Sequence, residues 1–196
     1  MPVNREKEAP PRPGLDGDPA VTERDRPVGA GPDRIWAPWR IVYFTEPRPD
    51  ACVFCTLPAE EELTEEDTLI LARFEHTYVV MNKYPYNAGH LMVVPFQHTD
   101  DLDQLSADVH CEMFRAAAVC QAVIREALNA QGFNIGLNLG KAAGAGILEH
   151  LHLHVVPRWM GDTNFMPVIM DTKVLSEDLV GTYRRLRPGF DRRTRK

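Results

Sequence analysis

His150-Leu151-His152-Leu153-His154-Val155-Val156 alternates imidazole and aliphatic side chains without a break. Successive side chains of a strand turn to opposite faces, so the three His share one face. Leu151, Leu153 and Val155 share the other, which can enter a core. Imidazoles at steps of about 7 Å make a poor core face but a good chemical one. Imidazole is nucleophilic, titrates near neutral pH and binds transition metals. The chain has 7 His in 196 residues, so a chance match somewhere is on the order of one in a hundred. A plain surface strand would be served as well by Thr, Ser or Lys.

The length suggests one domain with dressed ends, and a 44% hydrophobic content suffices for an ordinary core. No apolar run approaches the roughly 20 residues that span a bilayer, so no membrane role is expected. The charged, Pro-rich N-terminus has no apolar stretch of the secretory kind, and the expected location is cytoplasmic. A net charge of -6 argues against dedicated nucleic-acid binding. The Cys residues do not read as a disulfide framework. Cys111 and Cys120 fall in a helical pattern as inert thiols, whereas Cys52-Val53-Phe54-Cys55 is a CxxC.

Residues 1–33 hold seven Pro, many charges and no aromatic residue, and are expected to be disordered. A domain over 34–186 then opens at Arg34-Ile35-Trp36-Ala37-Pro38-Trp39-Arg40. Its two Trp could be core or interface anchors, with interface preferred. The acidic run Glu60, Glu61, Glu62, Glu65, Glu66, Asp67 reads as a solvated face or loop. Strands are expected at 69–73, 77–81 and 91–95, with Asn82–Gly89 joining two antiparallel strands. Ser106 caps a long helix over 106–130, with Val109, Met113, Ala116, Cys120, Val123 and Ala127 on its apolar stripe. Gly132 stops it, Phe133–Leu139 is the next strand, and Gly140–Gly146 loops to the His strand. Leu175–Leu186 reads as a closing helix, and 187–196 as a frayed basic tail. The fold class is therefore α+β, an antiparallel sheet against the long helix.

Three constellations carry chemistry. The Gly-rich loop beside the His face lets backbone N–H groups approach an anion, with Asn138 just before it, although a plain hairpin connection explains it equally well. It follows neither the P-loop nor the dinucleotide-binding pattern. Cys52 and Cys55 have metal-knuckle spacing without a second CxxC, so further ligands would come from His98 and one of the His triplet; a buried or redox pair is the alternative. His90, opening a strand after Asn87-Ala88-Gly89, reads by itself as a satisfied structural His.

Together these residues resemble the histidine-triad superfamily of nucleotide hydrolases and transferases. The resemblance rests on the His-x-His-x-His-x-x run, Gly89-His90 before an apolar strand, and Cys52–Cys55 upstream. Trp36–Arg40, Tyr84–Met92 and Gly161-Asp162-Thr163-Asn164-Phe165 are similar to an actinobacterial branch that phosphorolyses diadenosine tetraphosphate to ADP and ATP. The resemblance implies that His152 attacks the α-phosphorus to form a nucleotidyl-histidine and that His154 contacts phosphoryl oxygens. It implies that Asn82 meets the ribose and that Asn138 touches phosphate or orients the nucleophile. Cys52, Cys55, His98 and His150 match a structural zinc site, and no organic cofactor is implied. Where many relatives place Gln and then Ser or Thr, this chain has Gly146 and Ile147, so phosphate contacts would fall to the backbone around Ala145 and Gly146. The expected partners are a diadenosine polyphosphate and either inorganic phosphate or water. The family forms homodimers through its sheet and helices, so a homodimer or tetramer is expected. Two rivals stay open: a zinc hydrolase holding its metal with all three His, and a purine-nucleotide-binding protein without turnover.

Overall fold

The computed structural model describes residues 51–162 and 178–194. In chain order these form α1 (Val53–Thr56), α2 (Glu65–Thr68), β1 (Ile70–Arg73), β2 (Thr77–Met81) and β3 (Leu91–Pro95), followed by α3 (Ala107–Leu128), β4 (Gly132–Leu137), β5 (Leu153–Arg158) and α4 (Leu179–Thr194). The strands make one antiparallel sheet in the order β1-β2-β3-β5-β4. The Trp36–Arg40 segment, residues 1–33 and Thr163–Phe165 lie outside the described residues.

Alternation along the strands gives the sheet two different faces. Val79, Met81, Leu91, Val93, Leu153 and Val155 turn to one side and pack with Val109, Met113, Cys120, Val123 and Ile124 of α3. Tyr78, Val80, Met92 and Val94 turn to the other and pack with Ile70 and Phe54. His154 lies opposite Met92 across the β3–β5 ladder, and so belongs to the second face. The β ladder starts only at Leu153, with His154 on it; His152 lies just before the strand and His150 at the bend that leads into it.

Ser106 accepts a hydrogen bond from the Val109 N–H and caps α3 as the sequence suggests. The helix stops earlier than expected. Asn129 takes the left-handed conformation at φ 53° and ends it, while Gly132 opens β4 instead. β4 closes at Leu137 rather than Leu139, and forms one edge of the sheet.

The C-terminal expectation needs a larger correction. The closing helix runs on to Thr194, through the segment read as a frayed tail; residues 175–177 lie outside the described residues. Leu186 and Phe190 are fully buried in the core. A Cβ at Gly189 would stand 2.7 Å from Val123 Cγ1, so α3 and α4 touch where only Gly fits. The acidic run is the solvated loop and face the sequence suggests, with Glu60–Glu62 exposed, and its second half adds contacts to α4. Thr64 and Asp67 form a capping box on α2. Glu66 accepts two hydrogen bonds from Arg184, at 3.0 and 2.7 Å, and Glu65 pairs with Arg187. Such exposed pairs contribute little each, and apolar burial is the larger hold on α4. Among the described residues no helix is long and apolar enough to cross a membrane.

Candidate active site and metal centre

A cavity of about 490 Å³ opens on the imidazole face of the sheet. Val53, Phe54, Leu57, Val80, Met92 and Ile147 give it an apolar end. Asn82, Asn138, His152, His154 and the loop residues Gly144 and Gly146 give it a polar end, with Lys83, Tyr84 and Tyr86 nearby. An apolar slot beside convergent donors suits a nucleotide, with its base in the first part and its phosphates in the second. Ala145 is not among the lining residues; its N–H is directed at the Gly140 carbonyl, at 3.4 Å. Gly144 stands at the wall in its place.

The hydrogen bonds assign the tautomer of each imidazole. His152 Nδ1–H donates to the His150 carbonyl at 2.9 Å, which leaves the lone pair on Nε2. His90 Nδ1 accepts from the Tyr86 N–H at 3.1 Å and faces Asn82 Nδ2 at 3.3 Å. The Asn82 amide cannot turn round, because its Oδ1 accepts the Tyr84 N–H at 2.9 Å. His90 therefore carries its proton on Nε2 and donates it to His154 Nδ1 at 3.0 Å. The proton of neutral His154 is then on Nε2, and the Asn138 amide, 3.5 Å away, must present its Oδ1 rather than its Nδ2 to accept it. The result is one imidazole with a lone pair and its neighbour with a donor, their ring centroids 4.8 Å apart. That is the pair a displacement at phosphorus requires: a nucleophile, and a hydrogen-bond donor for the developing negative charge.

His90 is the satisfied, buried His the sequence suggests, and its contact with His154 is what sequence reasoning missed. It is fully buried, and its ring stacks on Tyr86. The signal was its place at the mouth of β3, the strand that pairs with β5; sequence alone does not reveal that pairing.

Burial keeps these rings neutral. Desolvation pushes His90 down to about 3, helped by the neighbouring His154 and His152. It pushes His154 down to about 4 and lowers His152 as well. A His whose folded pKa is depressed leaves stability intact above its unfolded value of about 6.5 and removes it as pH falls toward the folded value. From pH 7 to pH 5 we expect His90 by itself to cost roughly 2 kcal/mol of folding free energy. Urea denaturation at both pH values should show this loss, and His90→Gln should flatten it. An unchanged pH dependence in that variant would remove His90 as its source.

The second constellation also assembles. One ligand atom from each of Cys52, Cys55, His98 and His150 lies within 4.8 Å of all the others. His98 Nδ1 is 3.2 Å from Cys55 Sγ, and His150 Nδ1 is 3.4 and 3.5 Å from the two sulfurs. Tetrahedral zinc with bonds of about 2.3 Å to sulfur and 2.0–2.1 Å to nitrogen needs donors about 3.5 Å apart, so the set fits the ion. His150 Nε2–H donates to the Pro95 carbonyl at 2.9 Å and points the Nδ1 lone pair at the sulfurs, as a ligating His should. This arrangement disfavours a metal held by all three His, since His150 turns to the thiols while His154 is engaged by His90.

Residues 63–160 match the HIT domain, and the chain belongs to the histidine-triad (HIT) family. Over 170 residues it is 40% identical to the AP-4-A phosphorylase of Mycobacterium tuberculosis, covering 83% of this chain and 87% of that one. Among solved structures it is similar to a Zn-bound histidine triad family protein from Mycobacterium smegmatis, at 29% identity and a TM-score of 0.59, covering 72% of this chain and 94% of the other. A histidine triad nucleotide-binding protein from Sulfolobus tokodaii shares the fold at 24% identity and a TM-score of 0.58, over 74% of this chain and 95% of its own. The expected α+β histidine-triad architecture is thus present.

Proposed function

We propose that this protein is a dinucleoside polyphosphate phosphorylase that converts diadenosine tetraphosphate and inorganic phosphate to ADP and ATP. The observation that carries the reading is His152, an imidazole with its lone pair on Nε2 at the wall of a nucleotide-sized cavity. The 40% identity to an AP-4-A phosphorylase supports the substrate class. His152 Nε2 attacks the α-phosphorus of one adenylyl group, and the bond to the bridging oxygen breaks, releasing ATP. His154 Nε2–H donates to a phosphoryl oxygen as charge builds there. Phosphate then attacks the adenylyl-histidine, the N–P bond breaks, and ADP leaves with His152 restored. Asn82 holds the ribose, while Asn138 and the Gly144–Gly146 backbone face the phosphates. Gly146 and Ile147 at the wall carry no polar side chain, which leaves room for the second acceptor.

Turnover of diadenosine tetraphosphate with and without phosphate tests this, with products separated by chromatography. Phosphate should raise the rate and yield ADP plus ATP. AMP at every phosphate concentration, with an unchanged rate, would make the protein a hydrolase.

The four-donor group is assigned to structural zinc; a closed tetrahedral site stabilises without offering a position to substrate. The assembly is assigned to a homodimer. β4 is an edge strand, Ile135 on it is 42% exposed, and Phe114 of α3 is 63% exposed, a combination that pairing with a second copy would cover. The protein is placed in the cytoplasm, where thiols remain reduced and available to zinc.

A further inference from the structure

Cys52 and Cys55 bracket two residues that line the nucleotide cavity, Val53 and Phe54. These belong to α1, whose four residues are too few to hold a helix unaided. Three contacts hold it in place. The Phe54 side chain is 3% exposed within the cavity-side core. The Phe54 carbonyl accepts the Tyr78 hydroxyl at 2.8 Å. The third is the donor cluster itself, which ties both ends of α1 to His98 and His150.

Phe54 also bridges the two sites. Its ring centroid is 5.6 Å from that of His150, edge-on, and 5.0 Å from that of His152. His150 joins them a second way, with its ring in the donor cluster and its carbonyl on His152 Nδ1–H. The cluster, α1, Phe54 and His152 therefore form one packed unit, with the cavity wall on one side and the metal donors on the other.

We propose that the metal clip and the nucleotide cavity are thermodynamically coupled through Phe54, so that zinc and nucleotide each raise the affinity of the protein for the other. This rests on the zinc and nucleotide readings above. With the metal in place, α1 is already ordered and the Val53–Phe54 wall stands ready for the base. Without it, α1 keeps the burial of Phe54, the packing of flanking Cys52 and Leu57 and one hydrogen bond, and nucleotide binding must also supply the rest of the ordering of that wall. Coupling of this kind is reciprocal, and typical values are about 5–150-fold. Phe54 is then a positioning residue: it sets the wall and the packing of His152, and acts on the reaction through them.

The test uses the full chain and AMP as the probe. Calorimetry gives the AMP dissociation constant of zinc-loaded and chelator-stripped protein. Competition with a chromophoric chelator gives the zinc dissociation constant with and without saturating AMP. Both should shift by the same factor, at least about fivefold. Phe54→Leu keeps all four donors and should keep about one zinc per chain by elemental analysis, yet the coupling factor should shrink toward one. Zinc affinity unmoved by AMP would overturn the proposal, and that measurement starts from loaded protein, so it decides even if stripped protein unfolds. Full coupling in Phe54→Leu would overturn the route through Phe54. Protein without zinc by elemental analysis, or loaded protein that binds no AMP, would overturn the zinc or the nucleotide reading, and the coupling with it.

Discussion

His152→Ala lowers turnover of diadenosine tetraphosphate by at least about a thousandfold while nucleotide binding persists, because the covalent route is lost and the cavity is not. No neighbouring ring can substitute. His154 Nδ1 is engaged by His90, and its Nε2 carries the proton, so it offers no lone pair to phosphorus. His150 turns its Nδ1 toward Cys52 and Cys55. The contrast between rate and binding makes the test specific, since a merely unfolded variant would lose both. Quenching the wild type during turnover should trap an adenylyl group on the peptide carrying His152, visible by mass spectrometry, and the variant should show none. Near-normal turnover in folded His152→Ala would remove the assignment.

Phe190→Ala should destabilise the protein by about 3–5 kcal/mol, the usual cost of emptying a large aromatic site in a core. Phe190 is fully buried, one turn beyond Leu186, and the neighbouring Gly189 backbone lies against Val123. Phe190 shares α4's buried contact with Tyr183 and Leu186, while the ion pairs to Glu66 and Glu126 are exposed and add little. Chemical denaturation measures the loss directly. A change below about 1 kcal/mol would mean that the end of the chain frays.

The parts legible in sequence were those encoded by neighbours. Ser106 and the stripe from Val109 to Val123 specify α3 locally, and the His alternation specifies a two-faced extended segment. The CxxC was legible as half of a metal site, with His98 and one of the His triplet as candidates for the other half, and only the choice of His150 came from family resemblance. Elements fixed by distant partners were harder to read. Pro188-Gly189 and a run of Arg resemble a tail, but α4 tolerates the Pro because Leu186 and Phe190 enter the core. The acidic run is solvated as read, but its Arg partners could not be read, being 118 to 122 residues away. His90 is the satisfied structural His the sequence suggests, but its partner His154 could not be read, being 64 positions on. The end of α3 at Asn129 rather than Gly132 is a local choice between two residues that both tolerate turns.

The tautomer of His152, the proposed nucleophile, is selected by a peptide carbonyl, that of His150, and not by a side chain. A carbonyl is present whatever residue stands at a position, so no substitution deletes this partner. Exchange of side chains around His152 therefore leaves the partner that keeps its Nε2 unprotonated in place. An insertion or deletion between positions 150 and 152, by contrast, would displace the carbonyl that fixes this tautomer.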